Sequence, residues 1–221
     1  MENTSTSDIL KSLEELYLNG NYDEAMGLLI KNKSLFSNSD FHYNLGTILV
    51  KNNDLGAGRY NFEMALKESP FNIKARNNLD FLMKKLPLND LSTSEVTSDK
   101  VINFSMKMGT DLVLSFSLIL VLLLAILLRM GKITKKRIFA LLVVLSLMPS
   151  GAHYFIKSKY KVAIALQNQK ILEGPSGVYG MIGELAAGAK IILGEENKKW
   201  VMVEYPKQYA GWVKKDLLGN L

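Results

Sequence analysis

Polar and apolar positions change rhythm twice along the chain. Two apolar runs occupy the middle. Residues 112–128 read LVLSFSLILVLLLAILL without a charge, and residues 138–156 contain only His153 as an ionisable group. At a rise of about 1.5 Å per residue such runs extend roughly 26 to 28 Å, close to the thickness of a hydrocarbon core. A pair of buried helices in a soluble domain is the weaker alternative, because the first run has no polar stripe beyond Ser115 and Ser117. The pattern predicts a multi-domain membrane protein with a two-helix transmembrane hairpin at 111–156, its spans at 111–130 and 138–156. Helical sequence lies before it and alternating sequence after it.

The helical part repeats itself. FHYNLGTILVKNNDLGAGRYNFEMALKESP, residues 41–70, places Leu45, Gly46, Leu49, Gly58, Phe62, Ala65 and Pro70 at the spacings of a 34-residue helix-turn-helix repeat, the tetratricopeptide pattern. Small residues at 46, 58 and 65 let two antiparallel helices approach, Leu49 and Phe62 fill the space between them, and Pro70 stops the second helix. LYLNGNYDEAMGLL, residues 16–29, repeats the middle of the motif with Tyr22, Ala25 and Leu29, although Leu13 stands where glycine is expected. Asn78 and Leu79 repeat Asn44 and Leu45 and predict a further helix ending near Leu86, before Pro87. Five helices over 1–86 are therefore expected. Residues 87–110 start with the polar, Ser- and Thr-rich stretch PLNDLSTSEVTSDK and read as a linker that leaves the angle of the array free.

After residue 160 apolar residues alternate. KVAIAL (161–166), MIGEL (181–185), AKIILGE (189–195), KWVMVEY (199–205) and AGWVKKDLL (210–218) are strand-like runs separated by turn residues, which predicts a small all-β barrel over 161–221. In so small a domain Trp200, Val203, Trp212 and Val213 are expected in the core. The order of its LEGPSG, Ile182–Gly183, Lys190, Trp200 and Gly211–Trp212–Val213 elements resembles the bacterial SH3-like domain.

The net charge of +6 divides unevenly. Residues 1–100 hold 11 basic and 14 acidic groups, residues 101–160 hold 8 and 1, and residues 161–221 hold 8 and 6. The excess belongs to the membrane section, which disfavours nucleic-acid binding and favours topology and lipid headgroups as its cause. Arg129, Lys132, Lys135, Lys136 and Arg137 sit between the spans, against Lys100 and Lys107 before them and Lys157, Lys159 and Lys161 after them. By the positive-inside rule the connecting loop is cytoplasmic and both flanking domains are extracytoplasmic. MENTSTSDIL has neither the basic nor the apolar stretch of a secretory signal, so the numbering starts after such a signal, or the first span translocates the preceding part, or the topology is inverted.

Catalytic chemistry finds no foothold. There is no cysteine, and His42 and His153 have no Asp, Glu, Ser or second His at a spacing that forms a triad or a ligand set. GAGR at 56–59 lies within a helical repeat and is no phosphate loop. No enzyme activity, cofactor or metal is expected. His153 lies at membrane depth, and Pro149, Ser150 and Gly151 before it predict a kink or a helix end.

The order of modules resembles the tetratricopeptide/SH3-like member of the bacterial aerotolerance-operon (Bat) family, most strongly through the NLG-to-Pro repeat at 44–70 and the GWV ending. The resemblance implies a scaffold of the bacterial cytoplasmic (inner) membrane, working with von Willebrand A-type membrane proteins and a MoxR-like ATPase in oxidative stress tolerance or envelope assembly. From tetratricopeptide domains it implies that Asn44, Lys74 and Asn78 face a concave partner-binding groove. From SH3-like domains it implies that Tyr179, Tyr205 and Tyr209 border a peptide groove. The competing readings are solvated helix surface and ordinary loop aromatics. The alternative function is an envelope sensor or anchor whose barrel binds cell-wall peptide.

Overall fold

A computed structural model describes residues 6–86, 88–132 and 135–221. Pro87, and Ile133 and Thr134 of the basic loop, lie outside the described residues. The chain divides into two compact units, Met1–Lys100 together with Lys161–Leu221, and Val101–Tyr160.

Five helices open the first unit: α1 Thr6–Leu18, α2 Tyr22–Lys31, α3 Asn38–Lys51, α4 Leu55–Glu68 and α5 Ile73–Lys85. Short polar side chains start the last three. Ser37, Asp54 and Asn72 accept from the backbone N–H three residues on, at 3.1, 3.5 and 3.0 Å, satisfying donors that have no partner inside the helix. Ile9, Leu13, Ala25, Leu29, Phe41 and Ile48 form one core, and Phe62, Leu79 and Leu82 another. The glycines of the repeat are steric necessities. A Cβ on Gly46 would lie 2.8 Å from the Phe62 ring, and one on Gly58 would enter the Val50 side chain. Pro70 lies just beyond α4, which ends at Glu68.

The carboxy-terminal part of the same unit is a seven-stranded sheet with all its pairings antiparallel: β1 Lys161–Ala165, β2 Gln169–Leu172, β3 Met181–Leu185, β4 Lys190–Asn197, β5 Trp200–Tyr205, β6 Gly211–Lys214 and β7 Leu218–Asn220. Their order in space is β3-β2-β6-β5-β4-β1-β7. Two strands exceed the five runs read from alternation. The four residues of β2 are too short to show a period, and a 3₁₀ turn at Lys215–Leu217 splits the final run into β6 and β7. Val203 and Val213 are fully buried, whereas Trp200 and Trp212 are only half-buried.

Residues 88–94, expected as part of a free tether, are built into this unit. Asp90 and Leu91 are each 1 % exposed. Leu91 N–H donates to Lys190 O at 3.1 Å, and Gln208 Nε2 donates to Asn89 O at 2.6 Å. The polar composition reads as solvated, but its carboxylate and hydroxyls serve buried partners. Helix α6, Thr97–Lys107, then occupies most of the remaining linker.

The second unit is dominated by α7, Thr110–Arg129, and α8, Lys136–Lys159, both long and apolar enough to cross a membrane. Many of their large apolar side chains, such as Leu122, Leu141 and Val144, are exposed, while others, such as Leu120, Leu124 and Val143, are half-buried. The buried side chains of the two helices are polar. Ser117 is fully buried, with its Oγ 2.8 Å from that of Ser150 on the other helix, and Ser150 Oγ also donates to Val113 O at 3.4 Å. Ser146 instead bonds back to Leu142 O in its own helix, and Ser115 is exposed. Of the kink or helix end expected near Pro149, the end does not occur, because α8 continues through it to Lys159. His153 is buried, with Nδ1 2.9 Å from Ser105 Oγ, so its ring is held between helices.

Candidate functional site

The first helices of successive hairpins, α1, α3 and α5, line one groove of about 630 Å³. α1 gives it Leu10, Leu13, Glu14, Tyr17 and Leu18, α3 gives Tyr43, Asn44, Thr47 and Ile48, and α5 gives Lys74 and Asn78. Asn44, Lys74 and Asn78, 34 residues apart from first to last, thus converge on one surface. Repetition explains the two asparagines, which occupy equivalent positions 34 residues apart, and Lys74 lies one helical turn before Asn78 on α5. Asn78 Nδ2 donates to Thr47 Oγ1 at 3.3 Å, and Thr47 Oγ1 donates to Tyr43 O at 2.9 Å, so the carboxamide is held by its neighbours. Lys74 is exposed. Leu10 and Leu18 are 45 % and 73 % exposed, which gives the α1 wall an apolar rim opposite a cation. The surface suits an extended or helical segment with apolar side chains and an acidic group.

The three sheet tyrosines have different surroundings. Tyr179 is half-exposed and lies over Gly174, where any Cβ would meet its ring at 2.7 Å. Tyr205 OH donates to Ser94 Oγ at 3.2 Å and is engaged with the segment after α5. Its phenol is pushed up, chiefly by hydrogen bonding to Asp99. Tyr209 packs on the sheet core.

The most extensive buried polar cluster among the described residues was not legible in the sequence. Arg59 of α4 is fully buried and donates through Nη1 to Asp90 Oδ2 at 2.6 Å and Gly188 O at 2.5 Å, and through Nη2 to Ser92 Oγ at 2.8 Å. Its Nε lies 3.4 Å from Glu63 Oε1, and Glu63 also pairs with the fully buried Lys190 of β4. Asp90 accepts further from the N–H groups of Lys190 and Ser92, each at 2.8 Å. Burial pushes the Asp90 carboxyl up, but the Arg59 charge and bonds from Ser92, Lys190 and Arg59 outweigh it and hold the group below its ordinary value. Two cations and two anions balance, as charges removed from water must. Around them backbones touch: a Cβ on Gly56 would strike the carbonyls of Ala165 and Leu166, and one on Gly219 the ring of Tyr60. Only the GAGR sequence hinted at this, through two glycines and an arginine in one helical turn.

This cluster fastens the helices to the sheet, its charged groups paired with one another. Among the described residues no group of three His, Asp or Glu side chains converges to hold a metal ion. Comparison of the chain with protein-family models, with curated proteins and with solved structures finds no match.

Proposed function

We propose that this protein is a non-enzymatic scaffold anchored in the bacterial cytoplasmic membrane, with α7 and α8 as its spans and the tetratricopeptide-like helices and SH3-like sheet as a single partner-binding body outside the cytoplasm. The reading keeps the resemblance to the Bat family, with von Willebrand A-type membrane proteins and a MoxR-like ATPase as the partners it implies. One observation carries it: α1, α3 and α5 bring Asn44, Lys74 and Asn78 into an open groove bordered by exposed Leu10 and Leu18. Such a surface suits the docking of a partner segment. Anchoring is supported by two long apolar helices with many large apolar side chains exposed. A double crossing is supported by the shared unit of residues before α7 and after α8, because both must lie on one side of the bilayer.

A photo-reactive phenylalanine analogue at Leu18, in the groove, and another at exposed Glu24, outside it, test the reading in growing cells. The Leu18 probe should form discrete adducts with membrane proteins, weakened by Lys74→Glu, while the Glu24 probe should not. Identical adduct patterns from the two positions, or none from Leu18, would remove the groove as the docking surface.

A further inference from the structure

A second concavity lies on the sheet, and neither the groove residues nor the three tyrosines line it. About 370 Å³ in volume, it is lined by Asn168, Gln169, Lys170, Leu172, Gly177, Trp200, Lys214 and Leu217. Its volume falls in the range of small-ligand sites.

Its polar groups are of one kind. Asn168 Oδ1 is already occupied, accepting from Ala187 N–H at 2.6 Å, and Gln169 Oε1 accepts from Lys214 N–H at 2.9 Å. That second bond fixes which way the carboxamide points. It leaves Gln169 Nε2 a buried donor with no partner, on a residue only 9 % exposed. A buried donor without an acceptor typically costs about 1 to 3 kcal/mol, so such groups are seldom left without purpose. Lys170 and Lys214 add two exposed ammonium groups, and the half-buried Trp200 adds an indole N–H and an apolar face. No Asp or Glu lines the cavity. Donors and cations therefore await an acceptor that carries negative charge, while Leu172, Leu217 and the indole call for an apolar group beside it.

We infer that the cavity between Gln169, Trp200 and Lys214 binds a peptide carboxylate, the charge resting between the two lysines and the Gln169 amide, the adjoining side chain against Trp200. A carboxylate satisfies the geometry better than a bare inorganic anion, which would leave the apolar wall unused. The site stands on the sheet alone and does not depend on the helical groove.

The full chain in detergent, carrying Trp212→Phe so that Trp200 alone fluoresces, provides the test. N-acetyl-Ala-Leu with a free carboxyl is titrated against its carboxamide, against N-acetyl-Asp-Leu-amide and against inorganic phosphate. The free acid should shift Trp200 emission with an affinity at least about tenfold above the carboxamide. Response to the aspartyl peptide would assign the site to side-chain carboxylates, and its silence to chain termini. Gln169→Glu keeps the acceptor for Lys214 N–H while replacing the donor by a like charge, and should abolish the response. Lys170→Glu with Lys214→Glu, both exposed, should do the same without touching the fold. Equal binding of acid and carboxamide, phosphate matching the acid, or an undiminished response after charge reversal would overturn the assignment. Lys74→Glu leaves this response intact, so the groove reading fails or stands by itself.

Discussion

Arg59 and Asp90 form an ion pair 2.6 Å long in which neither side chain has any exposure to solvent. One lies in a helix and the other in the segment that follows the array, and Gly188 O and Lys190 N–H of the sheet complete their coordination. The first hundred residues and the last sixty-odd are thereby locked into one body across an interruption in sequence of two long apolar helices.

Removing one partner of such a pair leaves an uncompensated charge where water cannot reach it. Arg59→Met should destabilise the first unit by about 3 to 5 kcal/mol, and Asp90→Leu by a similar amount. The double variant should recover much of the loss, since no charge remains to be satisfied at that position. Denaturant unfolding followed by tryptophan fluorescence checks this, both tryptophans lying in the sheet. Additive losses would show that the two residues act separately.

The same pair sets an acid limit. The Asp90 carboxyl titrates below its ordinary value of 3.8 in the folded state. A depressed carboxyl contributes stability that is complete above the ordinary value and is lost as pH falls through the lower, folded one. Exposed Glu196, lowered to about 2 chiefly by its bonds to Lys161 and Lys215, acts in the same direction. The unfolding midpoint should therefore hold steady from about pH 7 to pH 5 and decline below about pH 4. Asp90→Asn should lower the plateau and flatten that decline; an unchanged decline would assign acid sensitivity to other carboxylates.

How much of this was readable depended on range. The five helices follow from a spacing of 34 residues, and Asn44 and Asn78 of the groove follow from the same spacing, whereas Lys74 reaches the groove only by standing one turn before Asn78 on α5. The ion network has no period. Its partners stand 31, 100 and 127 residues apart, and in the sequence Asp90 and Ser92 look like any solvated linker. β2 escaped for the opposite reason, being too short for its alternation to register. Pro149 was compatible with a kink or a helix end, and α8 takes it without ending, as proline is tolerated within apolar helices whose neighbours satisfy the freed backbone groups.

Gly56 tests the closeness of helix and sheet. Its missing Cβ makes room for the carbonyls of Ala165 and Leu166, backbone atoms that cannot rotate aside. Gly56→Val should destabilise the unit by about 1 to 3 kcal/mol and expose residues 88–94 to protease. Gly27 of α2 has nothing within 4 Å of the same position, and Gly27→Ala should be neutral or stabilise by up to about 1 kcal/mol through helix propensity. Equal effects at the two sites would mean that the helices and sheet are not pressed together in solution.

Membrane sidedness follows from the same contact. Because residues on both sides of the α7–α8 hairpin share one folded unit, Asn19 in the α1–α2 turn and Leu221 at the chain end must face the same compartment whatever the orientation. On the proposed double crossing, the basic loop residues point to the compartment outside the cytoplasm, since cationic loops tend to be retained inside. The sequence has no cysteine, so Asn19→Cys creates a single labelling site. An impermeant maleimide should label it in intact cells or spheroplasts, and alkaline phosphatase fused after Leu221 should be active. Labelling without phosphatase activity, or the reverse, would separate the two ends and rule out the shared body. Silence of both would keep that body and turn it to the cytoplasm, a reversal of the positive-inside assignment alone.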